Sequence, residues 1–95
     1  MDAYVSFKNK LDEIHTWPSS YLFKFVVPEA KKGELLSIMP TGLVQERSSS
    51  NQKYVSITLT AKMESSDEVV SIYKEASKIE GIVTHLLENY RDVLH

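Results

Sequence analysis

The sequence predicts an α+β fold, and three observations lead to it. Residues 21–27 and 53–63 alternate apolar side chains with a period of two, as strands do. Other segments repeat apolar residues at helical spacing. Turn-forming residues separate the segments, so that the order is β-α-β-β-α-β after a first helix. Two split βαβ units joined by a hairpin predict a ferredoxin-like plait, with a four-stranded antiparallel sheet of order 4-1-3-2 and both helices on one face.

The N-terminal segment is the first predicted helix. Tyr4, Phe7, Leu11 and Ile14 fall on one helical stripe within residues 2–15. Asp2 is a suitable N-cap, and Pro18 disfavours helical backbone at the residue before it. The next segment, residues 21–27, is apolar on both faces. It is therefore expected to be a central strand.

Pro28 suits the first turn of a second helix, because its missing N–H has no partner there. A stripe of Leu35, Ile38 and Met39 continues that helix. Gly33 weakens it by about 1 kcal/mol relative to alanine. Pro40 and Gly42 end it, and residues 43–47 form a short strand before the serine-rich turn.

Residues 53–63 form the clearest strand. Val55, Ile57, Leu59 and Ala61 share one face, and Tyr54, Ser56, Thr58 and Thr60 share the other. Ser65 and Glu68 have capping-box spacing before a helix over 66–79. Gly81 suits a left-handed turn, and 82–87 is the last strand. The chain is expected to be one domain (1–95), with an N-terminal helical extension (1–17), a plait core (20–87) and a tail (88–95), helical or disordered.

Composition excludes several classes of function. The 95 residues contain no cysteine, which removes disulfides, thiolate nucleophiles and cysteine-based metal sites. Three glycines provide no glycine-rich phosphate loop. The net charge of −2 disfavours bulk attraction to nucleic acid or anionic membrane. No apolar leader or span is present, so a cytoplasmic protein without membrane contact is expected.

Catalytic and metal-ligating patterns are not found in the sequence. His15, His85 and His95 are too widely spaced for a metal pair on one helix face. The adjacent carboxylates Asp12 and Glu13 do not face each other on a helix. Asp67 and Glu68 suit the first turn of their helix. The sequence therefore predicts no enzyme, no metal and no cofactor.

Two segments resemble the YbeD-like family, a bacterial family of unknown function. One runs from Ile14 to Phe25 and contains an aromatic-proline pair before a strand with Phe-Lys. The other runs from Arg47 to Thr58, with a serine-rich turn before a Lys-Tyr strand that alternates Ser and Thr. The likeness covers residues 11–87. The family usually has glycine just before the Lys-Tyr pair, where this chain has Asn51 and Gln52. Asn51 tolerates positive φ, so the hairpin is expected to form. The resemblance implies a ferredoxin-like fold similar to ACT-type regulatory domains, and no catalytic residues.

The serine-rich turn is the first candidate site. Arg47 and Lys53 bracket it, and its hydroxyls and N–H groups suit an anion. The residues concerned are Arg47, Ser48, Ser49, Ser50, Lys53 and Tyr54. The alternative is a solvated loop in which serine and asparagine only form the turn.

The outer face of the predicted sheet is the second candidate, with Lys24 and Tyr54 as its polar markers. Its half-apolar character suits a protein partner or a second copy of the chain. Nucleic acid is disfavoured, because only Tyr54 offers a stacking ring. The N-terminal helix is a rival occupant of this face. The leading expectation is a non-enzymatic regulatory module that binds an unknown protein partner. The alternatives are an ACT-like small-metabolite sensor and a weak RNA-binding plait.

Overall fold

A computed structural model describes residues 3–49 and 51–83 of the chain. Within these residues the protein has three α-helices and one three-stranded antiparallel sheet. The elements in chain order are α1 (Ala3–Ile14), β1 (Ser19–Pro28), a 3-10 turn (Glu29–Lys31), α2 (Lys32–Ile38), β2 (Leu43–Ser48), β3 (Tyr54–Met63) and α3 (Ser66–Ala76). The α+β class predicted from the sequence is confirmed.

The described sheet has the strand order β1-β3-β2. Leu59 in β3 lies opposite Phe23 in β1 on one side and Val44 in β2 on the other. The inward residues of β3 are buried and the outward ones are not, as its period of two predicted. One face of the sheet therefore packs on the helices.

Helix α1 packs on the helical side of the sheet. The Phe7 ring meets the Tyr73 ring of α3 edge-on, with centroids 5.3 Å apart, and Leu11 is fully buried in the same core. The idea that this helix covers the outer face of the sheet is therefore wrong. Its apolar stripe finds a better partner in the aromatic cluster around Tyr73, where edge-to-face rings add to burial.

Helix α3 begins as its capping box predicts, since the Ser65 side chain accepts a hydrogen bond from the Glu68 N–H at 3.2 Å. It ends at Ala76 rather than at Ile79. The chain continues in turns, in which the Ile79 N–H donates to the Ala76 carbonyl at 3.0 Å. Ile79 remains buried, so the apolar stripe extends beyond the helix itself.

The described residues contain three strands and not the predicted four, with one isolated bridge at their C-terminal end. Val83 pairs with Val26 of β1 through two backbone hydrogen bonds, of 2.9 and 2.7 Å. Gly81 has a φ of 79°, the left-handed turn expected before this segment. The remainder of the predicted strand and the tail lie outside the described residues, as do Asp2, His85 and His95.

Candidate binding surface

The strand residues that point away from the helices form a surface that we call the open face. Residues directly opposite each other in an antiparallel pair share a face, so the register assigns them. They are Ser20, Leu22, Lys24 and Val26 from β1, Leu43, Gln45 and Arg47 from β2, and Tyr54, Ser56, Thr58, Thr60 and Lys62 from β3. None of the described helices packs against this face.

The open face carries cations and, within the three strands, no carboxylate. Lys24 lies opposite Thr58, Arg47 opposite Ser56, and Lys62 opposite Ser20. Glu46 is the single acidic residue of these strands, and it lies on the helical side. Glu46 forms an ion pair with Lys32 of α2 at 2.8 Å, and this hydrogen bond raises the pKa of Lys32. In sequence, Glu29 directly follows β1 and Glu64 directly follows β3.

Apolar side chains are also exposed on the open face. Leu22 is 40% exposed and Leu43 is 67% exposed, and both lie beside Thr60, one from each neighbouring strand. Tyr54 is 45% exposed. Val83 pairs directly with Val26, which places it on the same face at the free edge of β1. The surface therefore combines exposed apolar groups with positive charge.

The hairpin between β2 and β3 is held by its own side chains. The Ser49 hydroxyl donates to the Asn51 side-chain oxygen at 2.8 Å and accepts from the Tyr54 N–H at 3.2 Å. The same Asn51 oxygen accepts the Lys53 N–H at 3.2 Å. The hairpin forms as expected, and the residue with a positive φ, 59°, is Gln52 and not Asn51. Asn51 instead uses its side chain to close the turn, as asparagine often does.

A shallow cleft of about 250 Å³ lies at this end of the open face. Its lining residues are Val26, Arg47, Ser48, Ser49, Tyr54 and Ser56. The structure thus brings together four of the residues singled out in the sequence. Arg47 lines the cleft from β2, because that strand extends to Ser48 and therefore includes Arg47.

Two of the described candidate residues, Lys24 and Lys53, do not line the cleft. Lys24 lies on the open face, one row along the sheet from Val26. Lys53 is exposed in the hairpin, where its carbonyl accepts the Glu29 N–H at 3.0 Å. Ser50 lies outside the described residues. Lys53 therefore does not pair with Arg47 around one anion in the way the sequence suggested.

Neither a metal centre nor a membrane span is found in the part of the chain that the structure describes. No group of three or more His, Asp or Glu side chains there could hold a metal ion. None of the helices there is long and apolar enough to cross a membrane.

His15 is half-buried beside the rings of Trp17 and Tyr21. It stacks on Trp17 at 5.0 Å, and its Nδ1 lies 2.9 Å from the Ser19 hydroxyl. Its Nε2 is buried and has no hydrogen-bond partner. Because Trp17 packs against the core, this histidine belongs to the helical side of the molecule and not to the open face.

The Asp12 carboxylate links α1 to Trp17 and to Ser66 at the start of α3. Hydrogen bonds from Ser66 and then Lys8 hold the pKa of Asp12 below its usual value, and a bond from the Trp17 indole at 3.0 Å adds to this. The bond to Asp12 also raises the pKa of Lys8. This carboxylate therefore has a structural role, far from the open face.

Two features of the open face were missed from the sequence. Lys62 continues the alternation of β3 by one more position, so the period-two pattern would have assigned it. Leu43 reaches the open face only because of the β2–β3 register, which places it opposite Thr60. No local signal in a six-residue strand specifies that register.

No curated protein and no solved structure matches the chain significantly. A family model described as "Protein of unknown function (DUF493)" matches residues 12–86. This is the YbeD-like family. Because the match covers most of the 95 residues, the chain belongs to this family of uncharacterised proteins.

Proposed function

We propose that this protein is a non-enzymatic regulatory module with a four-stranded plait, which binds a partner protein on the open face of its sheet. The observation that carries the proposal is the exposure of Leu22 and Leu43 on a face that no described helix covers. A flat sheet surface with exposed leucines and a polar surround has the composition of a protein interface.

The Val26–Val83 pair supports the four-stranded plait. Both of its backbone hydrogen bonds are antiparallel in sense, and Val83 lies at the free edge of β1. Continued pairing of residues 84–87 along β1 would produce the strand order 4-1-3-2. It would also widen the open face by one strand.

The lining of the cleft supports binding rather than catalysis. Its polar side chains are one arginine, one tyrosine and three serines. A serine nucleophile needs a base within hydrogen-bond reach, and none of the described residues that line this cleft is a histidine or a carboxylate. The hydroxyl group of Ser49 already donates its proton in a hydrogen bond to the side-chain oxygen of Asn51.

A capture experiment with matched variants tests the proposal. The full chain is tagged and incubated with native lysate, in parallel with Leu22→Ser/Leu43→Ser and with Val5→Ser/Ile14→Ser. The control residues Val5 and Ile14 are 47% and 39% exposed on α1, so both double variants remove exposed apolar surface without changing charge. We expect a defined protein to be captured by the wild type and the control only. Capture of nothing, or of the same proteins by all three, would refute the proposal.

The cleft favours a second candidate function, an ACT-like sensor of a small anionic metabolite. Arg47 supplies a guanidinium that binds carboxylates and phosphates through two parallel hydrogen bonds. At one hundred times Kd a ligand stabilises the fold by about 2.7 kcal/mol. That corresponds to a rise in Tm of roughly 10–20 °C for a domain of this size.

A thermal-shift screen of amino acids, phosphate and dicarboxylates tests this second function. We expect a rise for one class of compound, abolished in Arg47→Gln and retained in Lys53→Gln, because Lys53 does not line the cleft. A flat screen, or equal loss in both variants, would contradict it.

A further inference from the structure

The charge of the open face is opposite to that of the whole chain. The sequence carries 13 acidic and 11 basic residues. Most cations on the helical side form ion pairs with carboxylates; those lysines are Lys8, Lys10, Lys31, Lys32 and Lys78. By contrast, Arg47 and Lys62 form no ion pair with any residue that the structure describes. A carboxylate of a partner would therefore not have to displace an existing carboxylate from Arg47 or Lys62.

These cations lie on both sides of an apolar row. Leu22 and Leu43 flank Thr60. Lys62 lies two residues from Thr60 along β3, and Lys24 is level with Thr58, two residues the other way. Two residues of a strand span about 7 Å. The row of leucines therefore has a cation about 7 Å to either side, with Arg47 a further step along.

This spacing matches an amphipathic helix laid across the strands. A helix with its side chains is about 10–12 Å in diameter. Its apolar stripe would contact Leu22 and Leu43, and carboxylates on its two flanks would reach Lys62 on one side and Arg47 on the other. The helices on the opposite side of the sheet show that this sheet already accepts such packing.

A second copy of the chain fits this surface poorly. A two-fold symmetric interface places the same patch on both subunits. Face-to-face pairing would then bring Arg47 and Lys62 against the same two cations, and the open face of the described strands carries no carboxylate to neutralise them. Like charges opposed at an interface are unfavourable by several kcal/mol.

A nucleic acid also fits poorly. Single strands bind by stacking on several aromatic rings beside a positive groove. The open face has one ring, that of Tyr54, and its centre is occupied by two leucines. Leucine offers a phosphate backbone no hydrogen bond, whereas it packs well against apolar side chains.

We propose that the open face recognises an acidic amphipathic helix of a partner protein, with its apolar stripe on Leu22 and Leu43 and its carboxylates on Arg47 and Lys62. This inference rests on the proposed function and specifies the chemistry of the partner. Charge steering toward such a segment would also make association faster at low ionic strength.

Selection from a random peptide library tests the proposal without assuming a sequence. A displayed library of about 16 random residues, enough for about four helical turns, is selected on the full chain. The enriched peptides are synthesised, and their Kd is measured by fluorescence anisotropy. The variants are Arg47→Glu/Lys62→Glu and a control, Lys31→Glu/Lys78→Glu. Both make the same change in net charge, and the control residues are ion-paired on the helical side.

We expect peptides that combine Asp or Glu with apolar residues at helical spacing. Their binding should weaken by tenfold or more in the open-face variant and by less than about twofold in the control. Their binding to the wild type should also weaken when NaCl is raised from about 50 to 500 mM. Circular dichroism and urea denaturation verify that both variants fold. If a variant does not fold, a second set with glutamine in place of glutamate replaces it. Binding should weaken in the same order in that set.

Three results would overturn the proposal. The first is enrichment of peptides without excess carboxylate, or no enrichment at all. The second is equal weakening in both charge variants. The third is tighter binding of a single-stranded oligonucleotide of about 20 nucleotides, lost in the open-face variant. If neutral peptides bind and Leu22→Ser/Leu43→Ser abolishes their binding, the acidic chemistry fails while the proposed function stands.

Discussion

Leu43 and Leu59 provide a direct measurement of whether the open face is uncovered in the free protein. They lie on adjacent strands, but Leu59 is 1% exposed in the core and Leu43 is 67% exposed. The perturbation is Leu59→Ala and, separately, Leu43→Ala. The two changes remove the same atoms, so that any difference in the free energy of unfolding reflects what surrounds each side chain.

The expected magnitudes differ severalfold. A leucine-to-alanine change in a packed core costs about 2.7–5 kcal/mol, because a cavity is left in addition to the lost transfer energy. About 3 kcal/mol at Leu59 corresponds to a fall in Tm of roughly 12–24 °C. Full burial of leucine is worth about 1.5–3 kcal/mol, and one third of it remains at Leu43. We therefore expect Leu43→Ala to cost no more than about 1 kcal/mol.

Urea denaturation followed by the fluorescence of Trp17, the single tryptophan, measures both values. The experiment is repeated at low and high protein concentration. If Leu43→Ala destabilised the protein as much as Leu59→Ala, the open face would be covered in the free state. A dependence on concentration would then identify a second copy as the cover. Either result would refute the reasoning behind the proposed binding surface.

Three further predictions concern the fold around this surface. Asp12→Asn should lose about 0.2–1 kcal/mol at neutral pH. Because folding lowers the pKa of Asp12, its contribution to stability is complete above about pH 4 and is lost at lower pH, which urea melts at several pH values would measure. A difference between wild type and variant that does not change with pH would contradict this. Gly42→Ala should destabilise the protein, because a Cβ at this position would overlap the Thr60 carbonyl. A Cβ at Gly33 would contact no neighbouring atom, so Gly33→Ala should stabilise α2 by about 0.5–1 kcal/mol. The reverse order of the two Tm values would refute this. Gln52→Gly should raise stability by up to about 1 kcal/mol in a urea melt, since φ is positive there; a fall would show that the side chain stabilises the turn.

Much of the fold follows from local pattern. The alternation of Tyr54 to Met63 predicted which side chains of β3 are buried, because a pleated strand separates its faces regardless of context. Ser65 and Glu68 predicted the start of α3, since a capping box is closed by residues three apart. Pro40 and Gly42 predicted the end of α2 for the same kind of local reason.

The candidate surface was only partly predictable. Arg47 and Tyr54 were noted as part of a turn, and Lys24 as part of a sheet face. Their arrangement with Leu43 and Lys62 depends on how β2 is aligned with β3. A shift of one residue would turn Leu43 and Arg47 to the helical side. The amino-acid pattern of a short, wholly exposed edge strand does not favour one alignment over the other.

The sequence by itself determined the α+β class, the faces of the long strands and the family, because these depend on residues close together along the chain. Only the tertiary structure decided which face stayed open. The stripe of α1 would suit either side of the sheet, and it packs where Phe7 meets Tyr73, 66 residues further along the chain. That choice depends on the complementary shapes of distant side chains, and it leaves Leu22 and Leu43 exposed on a face that no described helix covers.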